Sequence, residues 1–245
     1  EIQVLDDSTD DSITETAKIT AKLQESGLDI VHICRTNRQG FKAGALKEGL
    51  EIAKGNLIAI FDADFLPDAD WLKKTVPYFK DDQIGAVQTR WGHLNRDYSI
   101  LTQIQAFALD AHFTLEQVGR SSKGHFINFN GTAGIWNKEC IIDAGNWEGD
   151  TLTEDLDLSY RAQLKNWKIK YLEDVETPAE LPVVISATRS QQFRWNKGGA
   201  ENFKKTAIRV LSASHISMKT KFHALMHLLS SSVFLFVFTV ALLSV

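Results

Sequence analysis

The chain has 245 residues, 44% of them hydrophobic, which is enough for one large domain with a buried core. Its 27 basic and 31 acidic residues give a formal charge of −4, which argues against nucleic acid as the main partner. Two cysteines, Cys34 and Cys140, cannot make a disulfide framework, and both are expected to be buried as small apolar side chains in a reducing compartment.

In chain order, short apolar runs alternate with helical patterns, as in an α/β sheet. Ile2–Leu5 reads as a strand running into Asp6-Asp7, and Ser12–Ser26 as an amphipathic helix closed by Gly27. A strand over Ile30–Arg35, a helix over Lys42–Ala53 and a strand over Leu57–Phe61 follow, the last ending at Asp62-Ala63-Asp64. Trp71–Phe79 reads as helical, Ile84–Thr89 as a strand and Ser99–Val118 as a longer helix. The second half predicts a strand over Phe126–Phe129, helices over Lys138–Ala144 and Leu156–Lys165, and a strand over Lys168–Leu172. A further helix over Thr188–Lys205 carries Gln191-Gln192-Phe193-Arg194-Trp195.

The tail from Leu225 to Val245 is apolar enough for a membrane span of about 20 residues. Lys204, Lys205, Arg209, Lys219 and Lys221 precede it, so the positive-inside rule puts that flank on the cytoplasmic side. His223 and His227 stand four apart, as helix-borne ligands can, but lack an adjacent glutamate or third ligand, and no metal is assigned to them.

The acidic motifs suggest specific chemistry. In an extended segment Asp62 and Asp64 face the same way, so both carboxylates can approach one site. Two carboxylates repel a diphosphate unless a hard divalent cation binds both, and that cation would also stabilise the leaving group. Asp6 and Asp7 can accept hydrogen bonds from a base imide or ribose hydroxyls, while the cluster Ser8–Ser12 also caps a helix. Lys42, at a helix start behind Gly40 and before Gly44, suits phosphate. Thr153 reads locally as an N-cap with Glu154 and Asp155 in the first turn, and Glu148, Asp150 and Asp157 are nearby carboxylates. Gln191 shares a helix face with Arg194 and Trp195; the arginine can pair with a diphosphate and the indole offers a flat platform for a sugar.

Taken in order, Asp6-Asp7, Asp62-Ala63-Asp64, Thr153-Glu154-Asp155 and Gln191-x-x-Arg194-Trp195 resemble the active site of processive family-2 glycosyltransferases, the class of cellulose, chitin, hyaluronan and mannan synthases. Phe129-Asn130-Gly131-Thr132-Ala133-Gly134-Ile135-Trp136 brings the likeness closest to the mannan/glucan synthase-like branch. The resemblance implies an α/β fold, with an open GT-A-like sheet flanked by helices and followed by the start of a transmembrane helix. It divides the chain into a cytoplasmic catalytic domain, 1–221, and the start of a membrane region, 222–245, with a strand and helix expected before Ile2.

It further implies an inverting transfer of a hexose from UDP-glucose or GDP-mannose onto a growing β-linked glycan. Asp155 would be the base, with Glu154 and Thr153 completing its pocket. Asp6, Asp7, Lys42, Asp62 and Arg194 would hold the donor, with Mg2+ or Mn2+ on Asp62 and Asp64. Gln191, Trp195, Gly131 and Thr132 would line the acceptor path. The implied partners are the nucleotide sugar, the glycan acceptor and membrane lipid. A non-processive or lipid-acceptor transferase of the same family, and a catalytically inactive membrane-anchored glycan-binding subunit, stand as alternatives.

Overall fold

β1 (Ile2–Asp6) and β2 (Ile30–Cys34) pair in parallel, Ile2 opposite Ile30 and Asp6 opposite Cys34, joined by helix α1 (Ser12–Glu25). This is the right arrangement for a βαβ crossover, and it brings both strand C-termini to one edge. The computed structural model describes residues 1–244. Helix α2 (Phe41–Ile52) leads to β3 (Leu57–Ile60), and the short helix α3 (Trp71–Thr75) with a 3-10 turn leads to β4 (Ile84–His93).

The second sheet is mixed, ordered β3-β5-β4-β6. Its β5 (Gly134–Asn137) runs antiparallel between β3 and β4, while β6 (Lys168–Ala179) runs parallel to β4. Ala86, Val87, Ile135 and Trp136 are essentially fully buried there, and Phe113, Phe129, Ile141 and Leu158 pack into the same interior. β5 is a strand within the segment expected to line the acceptor site.

The strand expected over Phe126–Phe129 joins no ladder. Buried side chains take the ladder's place. Gln163 bonds both the amide (3.0 Å) and the carbonyl (2.7 Å) of Ile127, Ser159 Oγ accepts from the Phe129 amide (2.9 Å), and Gln88 Oε1 accepts from the Asn130 amide (2.7 Å). These side chains pair the Ile127 amide and carbonyl and the Phe129 and Asn130 amides without a neighbouring strand. The long helix expected over Ser99–Val118 is divided. Helix α4 (Ile100–Ala111), capped by Ser99 and Thr102, passes through a π-turn at His112–Gln117 into α5 (Val118–Ser122).

Helix α6 (Lys138–Asp143) follows β5, and α7 (Glu154–Leu164) precedes β6. Helix α8 (Ile185–Ser212) is 28 residues long and packs on α7. Helix α9 (Met218–Leu228) seats Ala224 and Leu228 against Tyr160 and Val210, so a boundary after Lys221 falls inside a helix docked on the domain. A 3-10 turn at Ser230–Ser232, where Ser232 Oγ bonds the Leu229 carbonyl, leads into α10 (Val233–Leu243). Among the described residues no single helix is long and apolar enough to cross a membrane. The pair Met218–Leu228 and Ser230–Leu243 passes together by length and composition, and is bent by 50°. The expected span from Leu225 is thus broken at the serines, whose side chains compete for helix carbonyls; its last residue, Val245, lies outside the described residues.

Candidate active site

Four segments distant in sequence converge on Gly131. Its left-handed backbone (φ +80°) suits glycine, and a methyl group there would lie 3.1 Å from Asp155 Oδ2 and 3.7 Å from Lys42 Nζ. Lys42 Nζ donates to the Gly131 carbonyl (3.0 Å) and pairs with Asp62 Oδ1. The Asp62 amide donates to Thr132 Oγ1 (2.8 Å). The loop before β5 therefore ties the end of β3, the start of α2 and the start of α7 into one cluster.

Asp62 and Asp64 do not lie on an extended strand as expected. β3 ends at Ile60, and the Phe65 amide bonds the Asp62 carbonyl (3.1 Å), closing a turn that contains Asp64. The two carboxylates remain electrostatically linked. Desolvation raises the Asp64 carboxyl above the usual range, and the charges of Asp62 and Glu180 raise it further, while Lys42 opposes them. This repulsion, and the ammonium of Lys42 already drawn to Asp62, fit a divalent cation bound by all-oxygen ligands.

Glu154 and Asp155 open α7. Burial pushes the Asp155 carboxyl up to about 7, and the adjacent Glu154 adds to the shift. Glu154 is itself raised, by burial first, against the opposing pull of Lys42; Asp62 raises it further and Arg194 lowers it. A carboxylate poised near neutrality can accept a proton at working pH. Thr153 stands at the N-cap position, but its side chain makes no capping bond. Its hydroxyl instead accepts from Asn202 Nδ2 at 2.9 Å. The nearby carboxylates Glu148, Asp150 and Asp157 are gathered around Lys205 Nζ, at 2.7, 2.7 and 3.1 Å, and Asp157 also pairs with Arg161.

Asp6 and Asp7 lie at the end of β1 and already have protein partners. Asp6 is buried, with Oδ2 2.9 Å from His32 Nε2 and Oδ1 accepting from the Ser8 amide. Hydrogen bonding by Ser8, foremost, keeps its carboxyl low, His32 adds to this, and burial opposes both. Asp7 is forked by Arg35, whose hydrogen bond is the main cause of its lowered pKa. Any donor contact by this pair is shared with Arg35 and His32.

On α8, Gln191, Trp195, Gly198 and Asn202 fall on one face. Gln191 and Trp195 are half-buried, and Gly198 and Asn202 are buried. A methyl group at Gly198 would sit 2.9 Å from Thr153 Cβ and closer still to its hydroxyl. The helix bearing the Gln-x-x-Arg-Trp motif thus touches the start of α7 backbone to side chain. Arg194 is exposed, and its charge reaches Glu154. It also borders an outer groove lined with Arg189, Ser190 and Phe193. His223 stacks on His125 at 4.1 Å, and His227 Nδ1 lies 2.8 Å from the Tyr160 hydroxyl, so the two imidazoles serve packing. Asn202 was not singled out by any motif.

A model of the family described as "Glycosyltransferase like family 2" matches residues 2–198. Glucomannan 4-beta-mannosyltransferase 1 of Oryza sativa subsp. japonica is 42% identical over 229 residues, covering 91% of this chain and 44% of its own length. Glucomannan 4-beta-mannosyltransferase 9 of Arabidopsis thaliana is also 42% identical, covering 91% of this chain and 43% of its own. The chain therefore spans less than half the length of these relatives. Among solved structures, mannosyltransferase PcManGT from Pyrobaculum calidifontis, in complex with GDP-Man and Mn2+, superposes with a TM-score of 0.71 at 21% identity, over 94% of this chain and 64% of that one. S. aureus TarS 1-349 in complex with UDP-GlcNAc gives 0.65 at 16% identity, over 95% and 63%. These structures share the GT-A-like fold.

Proposed function

Because the chain belongs to glycosyltransferase family 2, we propose that it is the catalytic part of an inverting, metal-dependent hexosyltransferase that extends a β-linked polysaccharide. GDP-mannose is the favoured donor. The relatives at 42% identity carry 4-beta-mannosyltransferase names, and a structural neighbour was solved with GDP-Man. UDP-glucose is the donor to test against it.

The observation that carries this reading is the convergence at Gly131, where Asp62, Lys42 and Asp155 meet. Asp62 and Asp64 would hold Mg2+ or Mn2+, which, once bound, offsets diphosphate charge. Lys42 sits where it can turn from the Asp62 carboxylate to a phosphate oxygen. Asp155 takes the proton of the acceptor hydroxyl as that oxygen attacks the anomeric carbon from the face opposite the leaving diphosphate. Thr153 and Glu154 set its position and charge. Arg194 supplies positive charge at the edge of the same site, and Gln191 and Trp195 line the acceptor path with Gly131, while Thr132, expected on that path, is buried behind it and accepts from the Asp62 amide. Asp6 and Asp7 hold the nucleoside.

The division into a catalytic body on the cytoplasmic side and a membrane-associated end belongs to this proposal, with the boundary moved from Lys221 to the end of α9, because Ala224 and Leu228 pack on the domain. It is supported by the exposed apolar surface of α10 and the basic residues before it. The test is incubation of the chain with labelled GDP-mannose or UDP-glucose and Mn2+, followed by linkage analysis. Polymeric β-linked mannose supports the reading. Failure with both donors, in protein that binds neither, overturns it.

A further inference from the structure

We propose that Asp6, His32 and Cys34 form a second cation site, for a borderline-soft divalent ion such as Zn2+, whose occupation weakens binding of the donor's nucleoside. The weakening rests on the donor role given to Asp6 above; the cation binding does not.

The site follows from strand geometry. His32 and Cys34 are two residues apart on β2 and so lie on the same side of the strand. The parallel register sets Asp6 of β1 directly opposite Cys34. His32 Nε2 lies 2.9 Å from Asp6 Oδ2 and 3.2 Å from Cys34 Sγ, and one ligand atom from each residue lies within 4.8 Å of the others. A tetrahedral Zn2+, with ligands about 2.0–2.3 Å away, needs ligand atoms roughly 3.3–3.8 Å apart. The two short separations need to open by only a few tenths of an ångström. Both strands are held by their ladder, so the three donors are brought together before any ion arrives.

The donor set distinguishes this site from the one at Asp62 and Asp64. Oxygen ligands alone suit Mg2+ and Mn2+, whereas sulfur with imidazole nitrogen selects Zn2+ or Co2+. Binding replaces the Cys34 thiol proton, which leaves to solvent, and the Nε2 proton that His32 donates to Asp6, which leaves Nε2 as the ring takes up its Nδ1–H tautomer, so that the metal takes the imidazole lone pair at Nε2. Cys34 is exposed, which leaves the fourth position open to water. Among the described residues, the other group of three close ligand side chains, the carboxylates Glu148, Asp150 and Asp157, already holds Lys205 as its cation. With the ion on Oδ2 and the Ser8 amide on Oδ1, both Asp6 oxygens are engaged, and the charge of the ion weakens them as acceptors for the base or ribose.

Cobalt reads the site directly, because thiolate ligation gives a near-ultraviolet charge-transfer band and tetrahedral geometry gives strong visible bands. The chain, saturated with Mn2+, is titrated with Co2+. The expected result is a thiolate band that saturates at one equivalent, bleaches with Zn2+ and is absent in Cys34→Ser. Cys140, the other cysteine, is fully buried and cannot supply it. Calorimetry then compares donor binding with and without one equivalent of Zn2+. The dissociation constant is expected to rise at least about tenfold in the parent and to stay unchanged in Cys34→Ser. No band at one equivalent, or a band that survives in Cys34→Ser, overturns the site. Unchanged donor affinity in the Zn2+-loaded parent overturns the weakening. If the chain binds no donor at all, the cobalt spectrum still reads the site, so the two failures are distinct.

Discussion

Asn202 and Thr153 are joined twice: the Asn202 Nδ2 group donates to the Thr153 carbonyl at 3.1 Å and to its hydroxyl at 2.9 Å. The same amide bonds the Gly198 carbonyl of its own helix. Asn202 is fully buried, and Gly198 has no side chain to hold α8 away from Thr153. The helix bearing Gln191, Arg194 and Trp195 is thus fastened to the residue two places before Asp155. In the proposed reaction, acceptor platform and base move as one body.

Replacing Asn202 with leucine removes this donor from the half-buried Thr153 carbonyl, which keeps its bond from the Asp157 amide, and from the Thr153 hydroxyl, at a cost of about 0.5–1.5 kcal/mol per lost bond. The expected outcome is a lower thermal midpoint and a larger loss in transfer than in donor binding. Donor calorimetry beside product formation separates the two effects. Full transfer by a destabilised Asn202→Leu would show that the link serves folding alone.

How much of this was legible in the sequence depends on how local each cause was. The strands before Asp6 and Asp62, and the helix carrying Gln191, follow from apolar runs and periodicity and stand within a few residues of expectation. β5 was missed because Gly131–Gly134 reads as loop chemistry, and only two strong strand formers, Ile135 and Trp136, follow. The strand expected over Phe126–Phe129 was undone by Gln163, Ser159 and Gln88, partners 30 to 42 residues away that no local pattern reveals. Cys34 was expected buried, yet it ends the exposed tip of β2. Asn202 had no motif to mark it, since an asparagine inside a helix is ordinarily a surface residue.

Asp155→Asn removes the proton-accepting charge with little change in shape. Transfer is expected to fall by at least about 10²-fold while donor affinity stays near normal. Because the Asp155 carboxyl is raised from 3.8 to about 7, the working base is the deprotonated form, and turnover should climb with pH through about 7 and then level off. Glu154→Gln removes a charge that helps raise Asp155, so the acidic limb should move to lower pH. The stability sign runs the other way. The folded state binds the proton more tightly than the unfolded chain, so this group's contribution is full below about pH 4 and lost as pH rises through about 7. Asp155→Asn should therefore not lower the thermal midpoint at pH 8, even as it stops transfer. Near-normal transfer would remove Asp155 as the base.

The metal reading predicts a particular pattern at Asp64. Its carboxyl is raised by desolvation and by Asp62 and Glu180, so a bound cation would relieve real repulsion. Asp64→Asn should weaken Mn2+-dependent binding of GDP or UDP while leaving the fold intact, since the side chain is exposed. Chelation of the parent should produce the same loss, and added Mn2+ should reverse it. Turnover that survives chelation would discard the metal at this site.

The last expectation concerns α10. Its large apolar side chains from Val233 to Leu243 are 54–82% exposed, and its neighbour α9 is bound to the domain by Ala224 and Leu228. An apolar surface of this kind is unstable in water, whereas acyl chains would cover it. Lys219 and Lys221 precede it, and Lys221 Nζ caps the α8 end by donating to the Leu211 carbonyl at 2.6 Å, so the approach to the bilayer starts from a fixed point on the domain. The chain is therefore expected to float with liposomes and to need detergent when they are absent. Removing residues 233–245 should abolish flotation and leave the thermal transition of the remainder little changed, because α10 contributes no buried residue to it. Flotation that persists without α10 would move the membrane contact to another face, and a collapsed thermal transition would make α10 part of the folded body.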